Sequence, residues 1–442
     1  MRRAGMMRCG LVAFSAVTVL ALAGCGGSAA KPRPTPSPSA ATGLFVDAGS
    51  DQGPISPLVY GTNTGPWVPV PFDLQSQIAA MGLKTLTFPG GNWGDENDLE
   101  DYQVDQFIGF CRQLGAEPRI VVRLKGGTAQ RAADLVEYAN VTMGYRVKYW
   151  GIGNEADLYS QNGLPGYTVE QYNREWRQWA EAMRKVDPSV VLVGPDVSQF
   201  VGDTTGSTYL QSKTDWLASF LRANGDLVDI VSIHRYAFPS EAGTPPTIDD
   251  LRGNGKEWDS IIPALRKLVR ETTGRDLPVA VTEVNSSWAT NAGGEATMDS
   301  HYNAIWWADV QARLIRQRVT MVDQFALAGD YGIVDARGVR PMYRTYQMYR
   351  LLGIEQVRSE SDDPLVTICA AKRADGKLTI LLVNLGSSAV TKPLTIVGGG
   401  SAATAATWLF DQTHAAVQAG ATPLGGSVTL PPESVTLLVV GE

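Results

Sequence analysis

Histidine and cysteine are scarce in this sequence, and neither occurs in a pattern that binds metal. Among 442 residues there are three His and four Cys. The histidines, His234, His301 and His414, form no HExxH motif, and no pair of cysteines has the short spacing of a zinc site. The sequence therefore predicts a protein with no bound metal, and we expect it to require no cofactor.

Motifs for phosphate binding and for a serine nucleophile are also missing. The segment PGGNWGDE (89–96) lacks the Gly-Lys-Ser/Thr of a phosphate loop, and no G-x-S-x-G occurs. Gly151-Ile152-Gly153, with Ala156 in the third place, resembles a dinucleotide-binding turn. However, Asn154-Glu155 fill the position where a pyrophosphate would bind. Nucleotide binding is therefore weakly supported.

Positive charge is in deficit. The net charge is −7, from 38 basic and 45 acidic residues. Residues 1–24 hold three of the basic residues and no acid, so the rest of the chain has 35 against 45, a net charge of −10. An acidic surface repels nucleic acid and anionic lipid, which excludes both as the main partner.

The first 25 residues, MRRAGMMRCGLVAFSAVTVLALAGC, have the basic start, short apolar stretch and small residues of a secretory signal. The ending Leu22–Cys25 resembles a bacterial lipobox, which predicts a signal peptide over 1–24 and lipid on Cys25. An ordinary cleaved signal is the alternative. Residues 25–43 then form a Pro/Ser/Ala-rich tether. We expect a secreted protein, lipid-anchored to the outer face of the bacterial cell membrane. Cys111 and Cys369 remain, in apolar settings typical of buried thiols.

Eight short β-rich segments alternate with amphipathic helical ones between residues 58 and 327. The predicted strands are Leu58–Asn63, Lys84–Pro89, Arg119–Leu124, Val147–Asn154, Val190–Asp196, Val228–Tyr236, Pro278–Glu283 and Met321–Leu327. Apolar strands that are each followed by a helix indicate a parallel sheet covered on its outer face. Eight units favour a closed (β/α)8 TIM barrel over residues 44–353, with a doubly wound open sheet as the rival fold.

Helix boundaries support this alternation. Thr168 to Gln171 reads as a capping box at the start of one helix, and Gly82, Gly115 and Gly274 follow others. A further helix over 299–318 contains Trp306 and Trp307, of which at least one is expected in the core. After Gly353, five strands separated by turns indicate an antiparallel β-sandwich over 354–442. Leu44–Val46 is a candidate additional strand of that sandwich.

Two carboxylates follow apolar strands where a barrel builds its active site. Glu155 ends the fourth predicted strand and Glu283 ends the seventh. These strands face each other across the barrel mouth, so the two side chains are expected to converge. A convergent pair suits glycoside hydrolysis, in which one carboxyl group donates a proton and the other attacks the sugar. Mutual repulsion separates the two pKa values.

The motifs resemble glycoside hydrolase clan A, the retaining (β/α)8 glycosidases. GNE at the fourth strand and TE at the seventh carry the resemblance, and ISPLVYGTN (55–63), FPGGNW (88–93), GGTAQRAADLVEYAN (126–140) and SIHRY (232–236) extend it. The likeness is nearest to the α-L-arabinofuranosidase, β-xylosidase and heparanase-like branches. The arabinofuranosidase-like branches usually carry an Arg before the Phe/Tyr-Pro-Gly-Gly stretch, where this sequence has Thr87.

The resemblance implies roles for nine residues. Glu155 would be the general acid/base and Glu283 the nucleophile. The implied substrate-binding residues are His234, Asn154, which would bind the sugar hydroxyl next to the reacting carbon, and Tyr236, which would hydrogen-bond the nucleophile. Asn92, Trp93 and Trp288 would form the sugar platform, and Arg123 would help hold a carboxylate ionised.

The function implied is retaining hydrolysis of an oligo- or polysaccharide, of arabinofuranosidase, xylosidase or glucuronidase type. Two alternatives stay open. One is a non-catalytic carbohydrate-binding surface lipoprotein, in which the two carboxylates would lie far apart. The other is a transglycosidase, which would use the same residues but exclude water differently.

Overall fold

A computed structural model describes residues 42–238, 244–289, 294–399 and 402–441. The predicted signal peptide, the lipidation site Cys25 and most of the tether lie outside the described residues. Among the helices described, none is both long enough and apolar enough to cross a membrane. Cys111 and Cys369 are buried free thiols, as predicted.

The strands form a closed barrel and a second, larger sheet. After β1 (Leu44–Pro54), which joins the second sheet, eight parallel strands close the barrel in chain order. They are β2 Gly61–Asn63, β3 Thr85–Phe88, β4 Glu117–Val122, β5 Tyr149–Ile152, β6 Val191–Val197, β7 Ile230–Tyr236, β8 Val279–Asn285 and β9 Met321–Gln324. The predicted (β/α)8 fold is confirmed, and the open doubly wound sheet is wrong, because β2 pairs with β9.

Helices cover the outside of the barrel. They are α1 Gln75–Met81, α2 Trp93–Glu96, α3 Asp101–Leu114, α4 Ala129–Val136, α5 Val169–Val186, α6 Thr208–Asn224, α7 Ile248–Asn254, α8 Trp258–Thr273, α9 His301–Arg316 and α10 Met342–Tyr349. The Thr168 side chain accepts a hydrogen bond from the Gln171 N–H and caps α5, which is one half of the predicted capping box; the Gln171 side chain donates to Glu175. Gly82, Gly115 and Gly274 end their helices with positive φ, as predicted.

Two predicted strands end at the wrong residue beside the candidate catalytic residues: the fourth was predicted too long and the seventh too short. The strand predicted over Val147–Asn154 ends at Ile152, because Gly153 adopts a φ of 73° and turns the chain. Glu155 therefore lies on the loop beyond β5 rather than at a strand end. The seventh strand runs past its predicted end at Glu283 to Asn285, so that Glu283 lies inside β8.

The second sheet contains nine strands in the order β17-β16-β19-β14-β13-β12-β1-β15-β18. Apart from β1, they are β12 Glu355–Ser361, β13 Val366–Lys372, β14 Leu378–Asn384, β15 Val390–Val397, β16 Thr404–Phe410, β17 Ala415–Pro423, β18 Ser427–Leu430 and β19 Ser434–Val440. A short hairpin, β10 (Val334–Asp335) with β11 (Gly338–Val339), precedes them. Leu44–Val46 belongs to this sheet as predicted, but β12, β17 and β18 were missed, because they are charged, Ala/Gly-rich or short.

The central strands of the second sheet are buried on both faces. Leu381 and Val383 of β14 belong to the core shared with the barrel, whereas Ile380 and Leu382 belong to a separate core inside the β-domain. Helix α9, with both Trp306 and Trp307 buried, lies against this sheet. The β-domain thus packs on the barrel through an apolar face and holds a second core on the other face.

Candidate active site

A cavity of about 470 Å³ lies over the C-terminal ends of the barrel strands. Glu155 and Glu283 both line it, although 128 residues separate them in the chain. A Glu155 oxygen, a Glu283 oxygen and a His234 nitrogen all lie within 4.8 Å of one another. The structure thus brings the two predicted carboxylates and the predicted histidine to one point.

Glu155 occupies a constrained backbone position. Its φ of 45° and ψ of 49° place it in the left-handed region, which non-glycine residues seldom adopt. Asp196 (φ 56°) and Gln199 (φ 52°), on and just after β6, share that unusual conformation. Such residues concentrate where the surrounding structure fixes a side chain for a function.

His234 lies between the two carboxylates. Its Nδ1 is 3.1 Å from Oε1 of Glu155 and 3.8 Å from Oε2 of Glu283, and its Nε2 is 3.8 Å from Oδ1 of Asp196. Burial lowers the pKa of His234, but the negative charges of Glu283, Glu155 and Asp196 outweigh burial and raise the pKa to about 9. The surrounding carboxylates therefore favour the protonated form of the imidazole.

Tyr236 reaches Glu283 from the same face of β7 as His234. Its hydroxyl donates to Oε1 of Glu283 at 2.6 Å. Burial raises the pKa of Glu283 to about 7, and the charge of Glu155 acts in the same direction, whereas His234 and the Tyr236 hydrogen bond lower it. The two carboxyl groups together therefore retain a proton close to neutral pH. Trp288 meets the Tyr236 ring edge-on, with 6.0 Å between centroids, and lines the cavity.

Asn154 and Asn92 form a polar wall beside Glu155. The Asn154 amide donates to Oδ1 of Asn92 at 3.1 Å, and both side chains line the cavity. The backbone N–H of Asn154 donates to Oδ2 of Asp95 at 2.9 Å. Asp95 is buried, and burial raises its pKa to about 6 despite several hydrogen bonds that lower it. This contact fixes the loop on which Asn154 precedes Glu155.

Two predicted site residues lie elsewhere. Trp93 begins α2 and packs against the barrel core instead of lining the cavity. Arg123 lies just beyond β4, and its guanidinium bonds the carbonyl oxygens of Asp95 and Lys125 and pairs with Asp98 at 3.3 Å. It therefore contacts neither catalytic candidate. The strand-end position of Arg123 suggested the site, but its side chain turns back to these loop carbonyls.

The sequence did not predict a buried ion pair that lies beneath the site. Arg119, on β4, pairs with Oδ2 of Asp196 at 2.5 Å, and both side chains are almost fully buried. Oδ1 of Asp196 also accepts hydrogen bonds from Ser232 and Thr282. An arginine within the apolar run EPRIVV was the available signal, because a charge inside a strand is rarely buried without a partner.

Arg119 also lies beside the position where the sequence departs from the arabinofuranosidase pattern. Thr87 and Arg119 are direct neighbours on paired strands, and the guanidinium lies 3.5 Å from the Thr87 hydroxyl. That hydroxyl donates to Asp323 at 2.9 Å. The barrel interior below the cavity therefore contains a buried guanidinium, contributed by β4 rather than by β3.

Further cavity residues were also missed. Tyr209, Phe325 and Tyr331 line the cavity and contribute aromatic surface. Asp157, which the sequence left as a possible substrate contact, is bound instead to Lys213 at 2.6 Å. Tyr159, the other such residue, is 2% exposed and packs against Tyr167.

The triad Glu155, His234 and Glu283 has the ligand types and the spacing to hold a divalent metal. A metal ligand must be deprotonated, and the neighbouring carboxylates raise the pKa of His234, so a proton competes with a metal ion for the imidazole.

The chain is similar to known arabinofuranosidases. No protein-family model matches it. In sequence it resembles the intracellular exo-α-(1→5)-L-arabinofuranosidase of Streptomyces lividans, with 26% identity over 230 residues, 43% of this chain and 33% of the relative. The match thus spans about a third of that relative's length.

Solved structures share the whole fold. The α-L-arabinofuranosidase from Thermotoga maritima aligns with a TM-score of 0.76 at 19% identity, covering 90% of this chain and 100% of that one. CelM2, a bifunctional glucanase-xylanase from a metagenome library, aligns with a TM-score of 0.71 at 18% identity, covering 91% and 99%. These findings confirm the predicted resemblance: the chain has the fold of clan A glycoside hydrolases and is a sequence relative of the α-L-arabinofuranosidases.

Proposed function

We propose that this protein is a retaining glycoside hydrolase. The observation that carries the proposal is that a carboxylate oxygen of Glu155 and one of Glu283 lie within 4.8 Å of each other. Retaining enzymes place their carboxyl groups about 5–5.5 Å apart, whereas inverting enzymes leave about 6.5–9.5 Å for a water molecule. The observed spacing fits direct attack on the sugar by one carboxylate.

In the first step, Glu155 donates its proton to the glycosidic oxygen while Glu283 attacks the anomeric carbon. The bond between the carbon and the leaving oxygen breaks, the alcohol departs, and a sugar ester forms on Glu283. Because Tyr236 donates a hydrogen bond to Oε1 of Glu283, it favours the ionised carboxylate.

In the second step, the ionised Glu155 removes a proton from water, and the hydroxide attacks the anomeric carbon of the ester. The bond to Glu283 breaks and the carboxylate is regenerated, with retained configuration at the sugar. The cationic His234, 3.1 Å from Glu155, stabilises its anion in this step. In this proposal Asn154, which lines the cavity, binds the sugar hydroxyl next to the reacting carbon.

We propose an α-L-arabinofuranoside as the substrate, because the similar proteins are named for that activity. The cavity also favours a neutral sugar over a uronic acid. Among the described residues that line it there is no Lys or Arg to bind a sugar carboxylate.

Aryl glycosides test the reaction and the sugar together. Aryl α-L-arabinofuranoside should be hydrolysed faster than the β-xyloside, β-glucoside and β-glucuronide. Glu283→Gln should lower kcat by about 10⁴-fold or more, whereas the exposed Glu170→Gln serves as a matched control that keeps full activity. Glu155→Ala should be rescued by azide, giving a glycosyl azide of retained configuration. Inverted product, or substantial activity in Glu283→Gln, would contradict the proposal.

We further propose that the protein is secreted and lipid-anchored through Cys25. The lipobox-like Leu22–Cys25 and the following tether support this location. A bacterial host fed labelled palmitate should label the wild-type protein in its membrane fraction. Cys25→Ala should lose the label and the membrane association. Labelled Cys25→Ala protein would refute the assignment.

A further inference from the structure

We propose that Tyr209 forms the platform for the sugar on the leaving-group side of the scissile bond, a role that rests on the proposed glycosidase function. Tyr209 is the second residue of α6 and lines the same cavity as Glu155 and Glu283. It is 44% exposed, which is unusual for a large aromatic side chain in a chain whose other tryptophans and tyrosines are mostly buried.

The cavity has two walls of different origin. On the Glu283 wall, Trp288 contacts Tyr236, and Tyr331 contacts Phe325. Tyr209 and the loop after Glu155 also line the cavity, and Lys213, which contacts both Asp157 of that loop and the Tyr209 ring, places Tyr209 on the Glu155 wall. Because the general acid must reach the glycosidic oxygen, the leaving group occupies the Glu155 wall. Tyr209 is the aromatic residue lining the described part of that wall.

A buried ion pair holds Tyr209 in place. The ammonium nitrogen of Lys213, one helical turn later, lies 4.6 Å from the Tyr209 ring centroid. Lys213 also pairs with Oδ2 of Asp157 at 2.6 Å, and both side chains are at most 3% exposed. Asp157 follows Glu155 by two residues and accepts further hydrogen bonds from Ser198. The acid/base loop and the aromatic platform are therefore joined through one fixed contact.

The ion pair of Lys213 with Asp157 and the aromatic ring of Tyr209 together favour a neutral sugar at this position. The Lys213 ammonium lies over one face of the ring, and in this proposal the other face receives the sugar. Its charge is neutralised by Asp157, so it is not available to bind an anionic ligand. An aromatic face with negative quadrupole attracts the C–H groups of a sugar ring, which carry partial positive charge. The site therefore favours a carbohydrate leaving group over a small or anionic one.

Two substrates with the same glycone separate this role from the reaction itself. We expect Tyr209→Ala to lower kcat/KM for α-1,5-arabinobiose about tenfold, the effect of losing contact with one ring face. The same variant should change kcat/KM for α-L-arabinofuranosyl azide by less than about twofold, because azide is too small to cover the ring. Tyr209→Phe should behave as wild type with both. Tyr102→Ala, 60% exposed on α3 and outside the cavity lining, is the control.

Equal losses with both substrates, or no loss with arabinobiose, would overturn the platform. If the wild type cleaves neither substrate, the proposed function fails for this sugar. The affinity for arabinobiose then tests whether Tyr209 forms the platform. Titration of arabinobiose into Glu283→Gln and into Glu283→Gln/Tyr209→Ala should give a Kd about tenfold weaker for the double variant. Equal affinities, or no binding to either, would overturn the role of Tyr209.

Discussion

The hydroxyl of Tyr236 lies 2.6 Å from Oε1 of Glu283, so the two residues share a short hydrogen bond inside the barrel mouth. They come from neighbouring strands, β7 and β8, whose registers bring their C-terminal ends side by side. Tyr236, which donates this bond, lies two positions after His234 on β7. A single strand thus contributes both His234 and Tyr236, the two groups that lower the pKa of Glu283.

Removing this hydroxyl should slow the reaction without unfolding the protein. In Tyr236→Phe, Glu283 loses a donor that stabilises its anion, so its pKa should rise and its attack should weaken. A hydrogen bond to a charged group contributes about 1.5–3 kcal/mol, which predicts a fall in kcat/KM of about 10- to 100-fold. Tyr138→Phe, whose hydroxyl bonds Asp105 away from the cavity, is the control. An unchanged kcat/KM in Tyr236→Phe would show that the bond does not affect catalysis.

The carboxyl pair should give activity an alkaline limit. Catalysis needs one proton on the pair, and the raised pKa of Glu283, about 7, marks the loss of the last one. We expect wild-type kcat/KM to fall above about pH 7. With the activated azide substrate, which needs no acid, Glu155→Gln should lack this fall and should gain activity at a lower pH, because the repelling charge is gone. An alkaline fall near pH 7 in that variant would contradict this account.

Breaking the buried pair beneath the site should destabilise the protein. In Asp196→Asn, Arg119 becomes a buried charge without an anionic partner, and the free energy of unfolding should fall by about 3–5 kcal/mol in urea titrations. Asparagine tolerates the positive φ of this position, so backbone strain is not the cause. Asp196→Asn/Arg119→Met should recover much of the stability. If the double variant is no more stable than Asp196→Asn, the unpaired charge is not responsible.

The same substitution should change His234. Asp196 is one of the charges that raise the pKa of His234, so imidazole NMR should report a lower value in Asp196→Asn/Arg119→Met than in the wild type. The bond from His234 to Glu155 does not involve Asp196 and should persist. An unchanged pKa would assign the charge on His234 to the two glutamates alone.

The barrel should not be soluble without the β-domain. Alternate residues of β13, β14 and β19, among them Cys369, Leu381 and Leu437, pack on the barrel side of the sheet. A chain of residues 55–353 would expose the matching barrel surface and should aggregate or bind a hydrophobic dye. The chain of residues 42–442 is the control. A monomeric 55–353 chain with a cooperative thermal transition would contradict this expectation.

Several parts of the fold and the site could be read from local pattern. The alternation of strands and helices predicted the barrel. In each βα unit the apolar residues recur every two residues along the strand and every 3.6 residues along the helix. His234 and Tyr236 were placed on one face of a strand by the period of two alone. Trp93 and Arg123 could not be placed in this way, because their side-chain directions depend on a short helix and on loop carbonyls.

The residues missed from the sequence owe their roles to contacts between distant segments. Nothing near Tyr209 marks it as a cavity residue; it becomes one because Lys213 reaches Asp157 on another loop. Arg119 and Asp196 are 77 positions apart and become partners only when β4 and β6 enclose the same interior. Strand β17 has too few β-branched residues to be recognised, and its pairing with β16 defines it.

The sequence by itself determined the alternating strands and helices and the position of Glu155 and Glu283 after apolar segments. These features follow from periodicity and turn chemistry, which act between residues close in the chain. Only the tertiary structure decided that the two carboxylates meet around His234 and that an ion pair supports Tyr209. Closure of the barrel brings these groups together, and their charges then set one another's pKa across distances that no local pattern encodes.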